Sequence, residues 1–226
     1  MPTLQWLKEE FSYGYYSGNV LSVIPGLARL KEERLIGGSY RNIFKKAIFP
    51  YLESNSVVLE LGPGKGSWTR AILKYIHQGT IHTIDFQDVT KWLKPEKYNG
   101  KLACHKVNDN SFSSIENNFF DFFWSFGVLC HNNEKNIREI FQNSLSKMKH
   151  GGVAIHQYGN WEKLNIYGWK KGGIPEKFQY LPDADIWWPR NTDEIISSLA
   201  EETGWIVLNS DLGLVKRDSI IAMKRP

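Results

Sequence analysis

The stretch Val57-Val58-Leu59-Glu60-Leu61-Gly62-Pro63-Gly64-Lys65-Gly66-Ser67-Trp68 constrains this chain more than any other. An apolar run rich in β-branched residues reads as a strand buried on both faces. The three alternate glycines that follow it turn the backbone sharply and let it approach a ligand closely. The segment therefore predicts a cofactor loop at the end of a sheet strand.

Two ligand classes use such loops. A dinucleotide site needs G-x-G-x-x-G, its third glycine packing helix on strand. Here the glycines fall at 62, 64 and 66, and Ser67 stands where that third glycine belongs. Glu60 would also set a carboxylate near a pyrophosphate, whereas it suits a ligand carrying an ammonium and a sulfonium. This E-x-G-x-G-x-G form resembles motif I of the class I methyltransferases that use S-adenosylmethionine. The alternatives are a glycine turn without a ligand, a nicotinamide-binding Rossmann protein, and a cofactor-binding protein without catalysis.

Residues 1–55 read as helical and aromatic, a cap carrying Tyr16 near the cofactor mouth, with Ile43, Phe44, Ala47 and Ile48 at the spacing of a buried helical stripe. Strands are predicted at 57–61, 80–85, 102–107, 119–125 and 153–158, with helices at 67–76 and 134–148, the second stopped by Gly151-Gly152. Asn191-Thr192-Asp193-Glu194 supplies a capping side chain and first-turn acids for a further helix. The strands predicted at 205–208 and 219–223 have no helix between them and must pair antiparallel. Residues 159–190 break the rhythm with Gly168, Gly172, Gly173, Pro175, Pro182 and Pro189 and are expected to be an irregular substrate lid. The predicted fold is α/β: a Rossmann-like seven-stranded, mostly parallel sheet with an antiparallel terminal hairpin, helices on both faces and an N-terminal helical cap. Residues 56–226 form the methyltransferase domain, and the resemblance covers roughly 50–226.

Ligands of such sheets bind beyond the carboxyl ends of the strands. The resemblance implies that Gly62, Gly64 and Gly66 approach the methionine part of S-adenosylmethionine and that Glu60 lies near its amino group. Asp85, at the end of 80–85, can accept from both ribose hydroxyls or merely cap the next turn. Asp109 is the acid expected at the adenine amino group, with Asn110 beside it; an Asx turn without a ligand is the competing reading. Phe126 and Gly127 are expected under the methyl donor. Trp68 suits either the cofactor or the core.

Methyl transfer from a sulfonium is a direct displacement, in which the protein aligns the partners and manages charge. A hydroxyl acceptor loses a proton, so a base is useful. His131 is the first candidate and His156 the second, although a histidine at the first place is often structural in related enzymes. Tyr16, Tyr158, Trp161, Trp188 and Arg190 are candidate acceptor contacts, together with Lys170, Lys171 and Lys177 if a phosphate is present. The absence of Asn-Pro-Pro-Tyr or Asp-Pro-Pro-Tyr after the fourth strand, and of paired metal-binding histidines and acids, favours an oxygen acceptor on a small molecule without a metal. A sugar or nucleotide-linked sugar is the specific candidate, by a resemblance to enzymes of bacterial surface-polysaccharide pathways. A phosphate, carboxylate or amine acceptor is the alternative.

At 226 residues the chain suits one α/β domain with a cap. A net charge of +4, dispersed among acids, gives no footprint for nucleic acid. The two cysteines, Cys104 and Cys130, sit in apolar contexts and read as reduced thiols, and the first ten residues carry charges where a signal peptide needs apolar residues. No apolar run nears the roughly 20 residues of a membrane span. The expectation is a cytoplasmic enzyme of a small-molecule substrate, its oligomeric state open.

Overall fold

The computed structural model describes residues 5–6 and 17–226. Tyr16 lies outside the described residues. Seven strands form one sheet: β1 (Val57–Leu61), β2 (Thr80–Asp85), β3 (Leu102–Lys106), β4 (Phe120–Ser125), β5 (Met148–Gly159), β6 (Ile206–Asn209) and β7 (Asp218–Lys224). Their order is β3-β2-β1-β4-β5-β7-β6. β1 pairs parallel with β2 and β4, and β7 runs antiparallel between β5 and β6. The chain reverses its direction of growth across the sheet between β1 and β4, which opens a ligand crevice outside their carboxyl ends.

Successive residues of a strand face opposite sides, and the central strands supply two cores. Val58, Phe122, Ile155 and Ile220 pack with Trp68, Ala71 and Ile72 of α3 (Ser67–Ile72). The same core takes Ile36 of α1 (Leu27–Ile36) and Ile43 of α2 (Tyr40–Ile43), as well as Phe44, Ala47 and Ile48 of the π-turn that continues α2. On the other face Leu59, Phe123, Ala154 and Ile221 meet Ile137, Ile140 and Phe141 of α5 (Glu134–Leu145) and Ile196 and Leu199 of α8 (Asp193–Glu202). The predicted cap of α8 is present: the Thr192 hydroxyl accepts from the Ile195 N–H at 3.2 Å. A four-residue helix, α4 (Thr90–Leu93), lies between β2 and β3.

Three expectations change. The helix after the glycine loop ends at Ile72 rather than 76. Gly151-Gly152 do not stop a helix, because α5 ends at Leu145 and both glycines lie inside β5. There the β4–β5 register shifts, and a Cβ on Gly152 would stand 2.9 Å from the Lys149 carbonyl, so the pair serves a strand irregularity. Residues 159–190 are partly regular, with α6 (Trp161–Tyr167), α7 (Trp169–Gly172) and two 3-10 turns. Leu164, Trp169, Ile174, Phe178, Ile186 and Trp188 give this insertion an apolar core of its own. Among the described residues, no helix is long and apolar enough to cross a membrane, and no three His, Cys, Asp or Glu side chains gather as a metal ligand set.

Candidate active site

A cavity of about 520 Å³ opens at the carboxyl ends of β1 and β4, within the roughly 300–1,000 Å³ of small-molecule sites. Gly62 and Gly64 line it with positive φ angles of 67° and 54°. The Gly62 N–H donates to the Ile84 carbonyl at 2.9 Å, and a Cβ there would sit 2.4 Å from Val128 Cγ2. Gly66 does not reach the cavity: its Cβ would strike Leu93 Cδ2 at 2.2 Å, so its need for glycine comes from packing the loop on α4.

Glu60 also lies beneath the wall rather than on it, fully enclosed, where its carboxylate accepts from the Thr69 hydroxyl at 2.6 Å. Burial raises its pKa from 4.5 to about 7. The group is then protonated in the folded chain over a range where the unfolded chain has lost the proton, so stability declines as pH rises from about 4.5 to 7. Glu60→Gln should remove that decline, raising stability at pH 8 by on the order of 2 kcal/mol relative to its effect at pH 4.5. Urea unfolding at the two pH values checks this, and equal effects at both would sink it.

The strand ends bring the other candidate cofactor residues to the cavity. Asp85 is buried on the cavity wall, where its Oδ1 also accepts from the Gln87 N–H at 2.8 Å, so it caps its turn and faces the site together. Asp109 lines the cavity while accepting from the Ser111 N–H at 2.9 Å, and Asn110 beside it is buried on the same wall. Phe126 and Gly127 line it after β4, and the Gly127 N–H donates to Gln157 Oε1 at 2.7 Å. Trp68 both lines the cavity and packs in the core, 5.1 Å from the Tyr40 and Phe126 ring centroids.

His131, Trp187, Trp188, Tyr40, Glu32 and Arg217 also line the cavity. His131 Nδ1 lies 3.1 Å from the Trp187 carbonyl. A carbonyl only accepts, so Nδ1 carries the proton and Nε2 the lone pair. Burial depresses the imidazole pKa to about 4. Glu32 is buried and accepts from the Ser17 hydroxyl at 2.5 Å, and its pKa is raised chiefly by burial.

Several candidates are not brought to the cavity. His156 is wholly enclosed between Phe123 and Phe141, its Nδ1 at 2.8 Å from Ser125 Oγ, and burial lowers its pKa to about 3. It is a core histidine and not a base. Tyr158 is equally buried and donates to Asp193 at 2.5 Å, tying β5 to α8. Trp161 donates to the Trp188 carbonyl at 3.2 Å and stacks under Arg190, which pairs with Asp183 and donates to the Leu181 carbonyl at 2.7 Å. Those two staple the insertion together. Lys171 folds over Tyr167 at 4.3 Å. Among the described residues, Trp188 is the one candidate acceptor contact that lines the cavity. Arg217, Gln157, Glu32 and Phe86 line the cavity although sequence reasoning passed over them.

A family model for a methyltransferase domain matches residues 38–215. Comparison with curated proteins gave no match. Among solved structures, a SAM-dependent methyltransferase from Aquifex aeolicus superposes with a TM-score of 0.62 at 16% identity, over 89% of this chain and 94% of that one. Geranyl diphosphate C-methyltransferase from Streptomyces coelicolor A3(2) gives 0.60 at 10% identity, over 83% and 78%. A 1,6-didemethyltoxoflavin N1-methyltransferase from Burkholderia thailandensis gives 0.55 at 11%, over 76% and 71%. At such identities the likeness is one of fold.

Proposed function

The chain belongs to the methyltransferase-domain family, and on that premise we propose that it transfers a methyl group from S-adenosylmethionine to an oxygen of a hydroxylated small molecule. The observation that carries this reading is one cavity lined by the glycine loop, the strand-end acids and an oriented histidine with its aromatic neighbours. The residues fit the donor. Gly62 leaves room where a Cβ would intrude, Gly64 beside it lines the cavity at a positive φ, Asp85 offers a carboxylate for ribose hydroxyls, and Asp109 with Asn110 offers acceptors for an adenine amino group. When bound, the donor supplies an electrophilic methyl on a sulfonium. The Streptomyces and Burkholderia neighbours, both described with S-adenosylhomocysteine bound, accord with the donor; their named acceptor atoms are carbon and nitrogen.

The chain's own task is to orient the acceptor and take its proton. His131 Nε2 is the proton acceptor, held by the Nδ1 bond to Trp187. A base depressed to about 4 suits an acidic hydroxyl, as on a phenol or enol, better than a saturated sugar hydroxyl. The nucleotide-sugar candidate also loses the cations it relied on, since Lys170, Lys171, Lys177 and Arg190 do not line the cavity. The same low basicity favours, as second reading, an acceptor oxygen that is already ionised.

Incubating the chain with isotope-labelled donor and a pool of hydroxylated metabolites, followed by mass spectrometry, tests the proposal. Product gaining one labelled methyl on oxygen is the expected result. Label on nitrogen or carbon, or none while S-adenosylhomocysteine binds, would refute it.

A further inference from the structure

Resting on that reading of the cavity, we propose that Arg217 is the anchor for a carboxylate carried by the methyl acceptor. Arg217 precedes β7, whose antiparallel course brings its first residues to the rim where the parallel strands end. Its side chain is only 11% exposed and lines the cavity beside Trp188.

A guanidinium has five N–H donors. In Arg217, Nε donates to Asp218 Oδ1 at 2.8 Å, Nη2 to Asp218 Oδ2 at 2.7 Å, and Nη1 to the Gly172 carbonyl at 2.9 Å. One N–H is left on each terminal nitrogen, which matches the two oxygens of a carboxylate. The group is also rigid, because its Cζ lies 4.6 Å from the Trp188 ring centroid and a Cβ at Gly172 would stand 2.9 Å from its Cδ. A donor fixed in advance loses little freedom on binding.

Asp218 does not compete for that place. It is wholly buried, and besides both arginine bonds it accepts from Gln157 Nε2 at 2.8 Å. The nearby acid, Glu32, is engaged by Ser17 and Tyr40, and its burial favours the neutral form. His131 is neutral near pH 7. The chamber therefore presents hydrogen-bond donors on Arg217 beside a neutral imidazole, and the sulfonium of the donor offsets the charge of an incoming anion.

The test compares 4-hydroxybenzoate with 4-hydroxybenzamide as probes, by ligand-observed NMR on the full chain saturated with S-adenosylhomocysteine. The carboxylate should bind about tenfold more tightly or better than the amide, the worth of charge-assisted hydrogen bonds. Arg217→Gln combined with Asp218→Asn removes both charges together and should abolish the preference while S-adenosylhomocysteine affinity stays within about threefold. Arg217→Lys keeps the charge without the fork and should cut the preference to about threefold; it serves if the double variant does not fold. Equal binding of the probes, binding of neither, or a preference surviving the substitutions would overturn the proposal. So would a tenfold or larger loss of S-adenosylhomocysteine affinity in the double variant, which would assign Arg217 to the donor. If the wild type fails to bind S-adenosylhomocysteine, the donor reading fails instead, and the probe comparison is read on the same protein without it.

Discussion

Gly62→Ala should weaken S-adenosylhomocysteine binding by about a hundredfold or more while the chain stays folded. The backbone at Gly62 has φ 67°, which costs an alanine roughly 1–2 kcal/mol. The new methyl would also stand 2.4 Å from Val128 Cγ2, an overlap worth roughly 1–3 kcal/mol. Without the ligand both are relieved by turning Val128 inward or lifting the loop, and either movement fills space on the cavity wall. Binding must restore the strained arrangement, so the strain appears in affinity rather than in folding. Two comparisons isolate the cause. Gly213→Ala has a similar φ of 65° but open space around its Cβ, and should cost about 1 kcal/mol of stability with affinity unchanged. Adding Val128→Ala to Gly62→Ala removes the overlap and should recover about tenfold in affinity. Titration calorimetry on the four proteins decides it, and a Gly62→Ala affinity within threefold of wild type would sink the account.

That the glycine loop and the strand-end candidates meet on one cavity was readable because each residue is found by counting to the end of a strand. Val57–Leu61 and Thr80–Asp85 are buried runs with sharp ends, and Gly62, Asp85, Asp109, Phe126 and His131 follow those ends onto one cavity. The acceptor half was not readable, for two physical reasons. The first is parity. β5 is buried on both faces, so no alternation of polar and apolar residues marks which side faces the site. Ala154, His156 and Tyr158 face α5 and α8, and Gln157 between them reaches the cavity. Choosing His156 and Tyr158 was thus a one-residue error that moved both to the wrong face. The second is strand order. Arg217 reaches the rim because β7 inserts between β5 and β6, a pairing that local periodicity does not encode. Composition likewise could not separate Trp188, which faces the cavity, from Trp161 and Arg190, which hold the insertion together. The signal available for Arg217 was an adjacent Arg-Asp pair at the mouth of an otherwise apolar strand.

His131→Ala should lower turnover by about a hundredfold, the usual worth of a positioned base, while leaving S-adenosylhomocysteine affinity unchanged. The alanine variant alone does not separate a base from a structural residue, because the bond to the Trp187 carbonyl is lost in either case. His131→Asn separates them: its amide N–H can occupy the place of Nδ1–H and keep that bond, but an amide is too weak a base to take the proton. Turnover of the asparagine variant should therefore stay as low as that of alanine, and recovery to within a few-fold of wild type would assign His131 a structural role. The pH profile adds a second reading of the same group. Its pKa is held down to about 4 by burial, so the imidazole keeps its lone pair as pH falls from 8 to about 5 and takes up a proton only below that. Turnover should not vary with the ionisation of His131 over that window and should fall on the acid side of it. A limb near 6.5 that disappears in His131→Asn would mean that water reaches the imidazole during the reaction, in which case the aromatic wall of Trp187 and Trp188 opens before the proton moves.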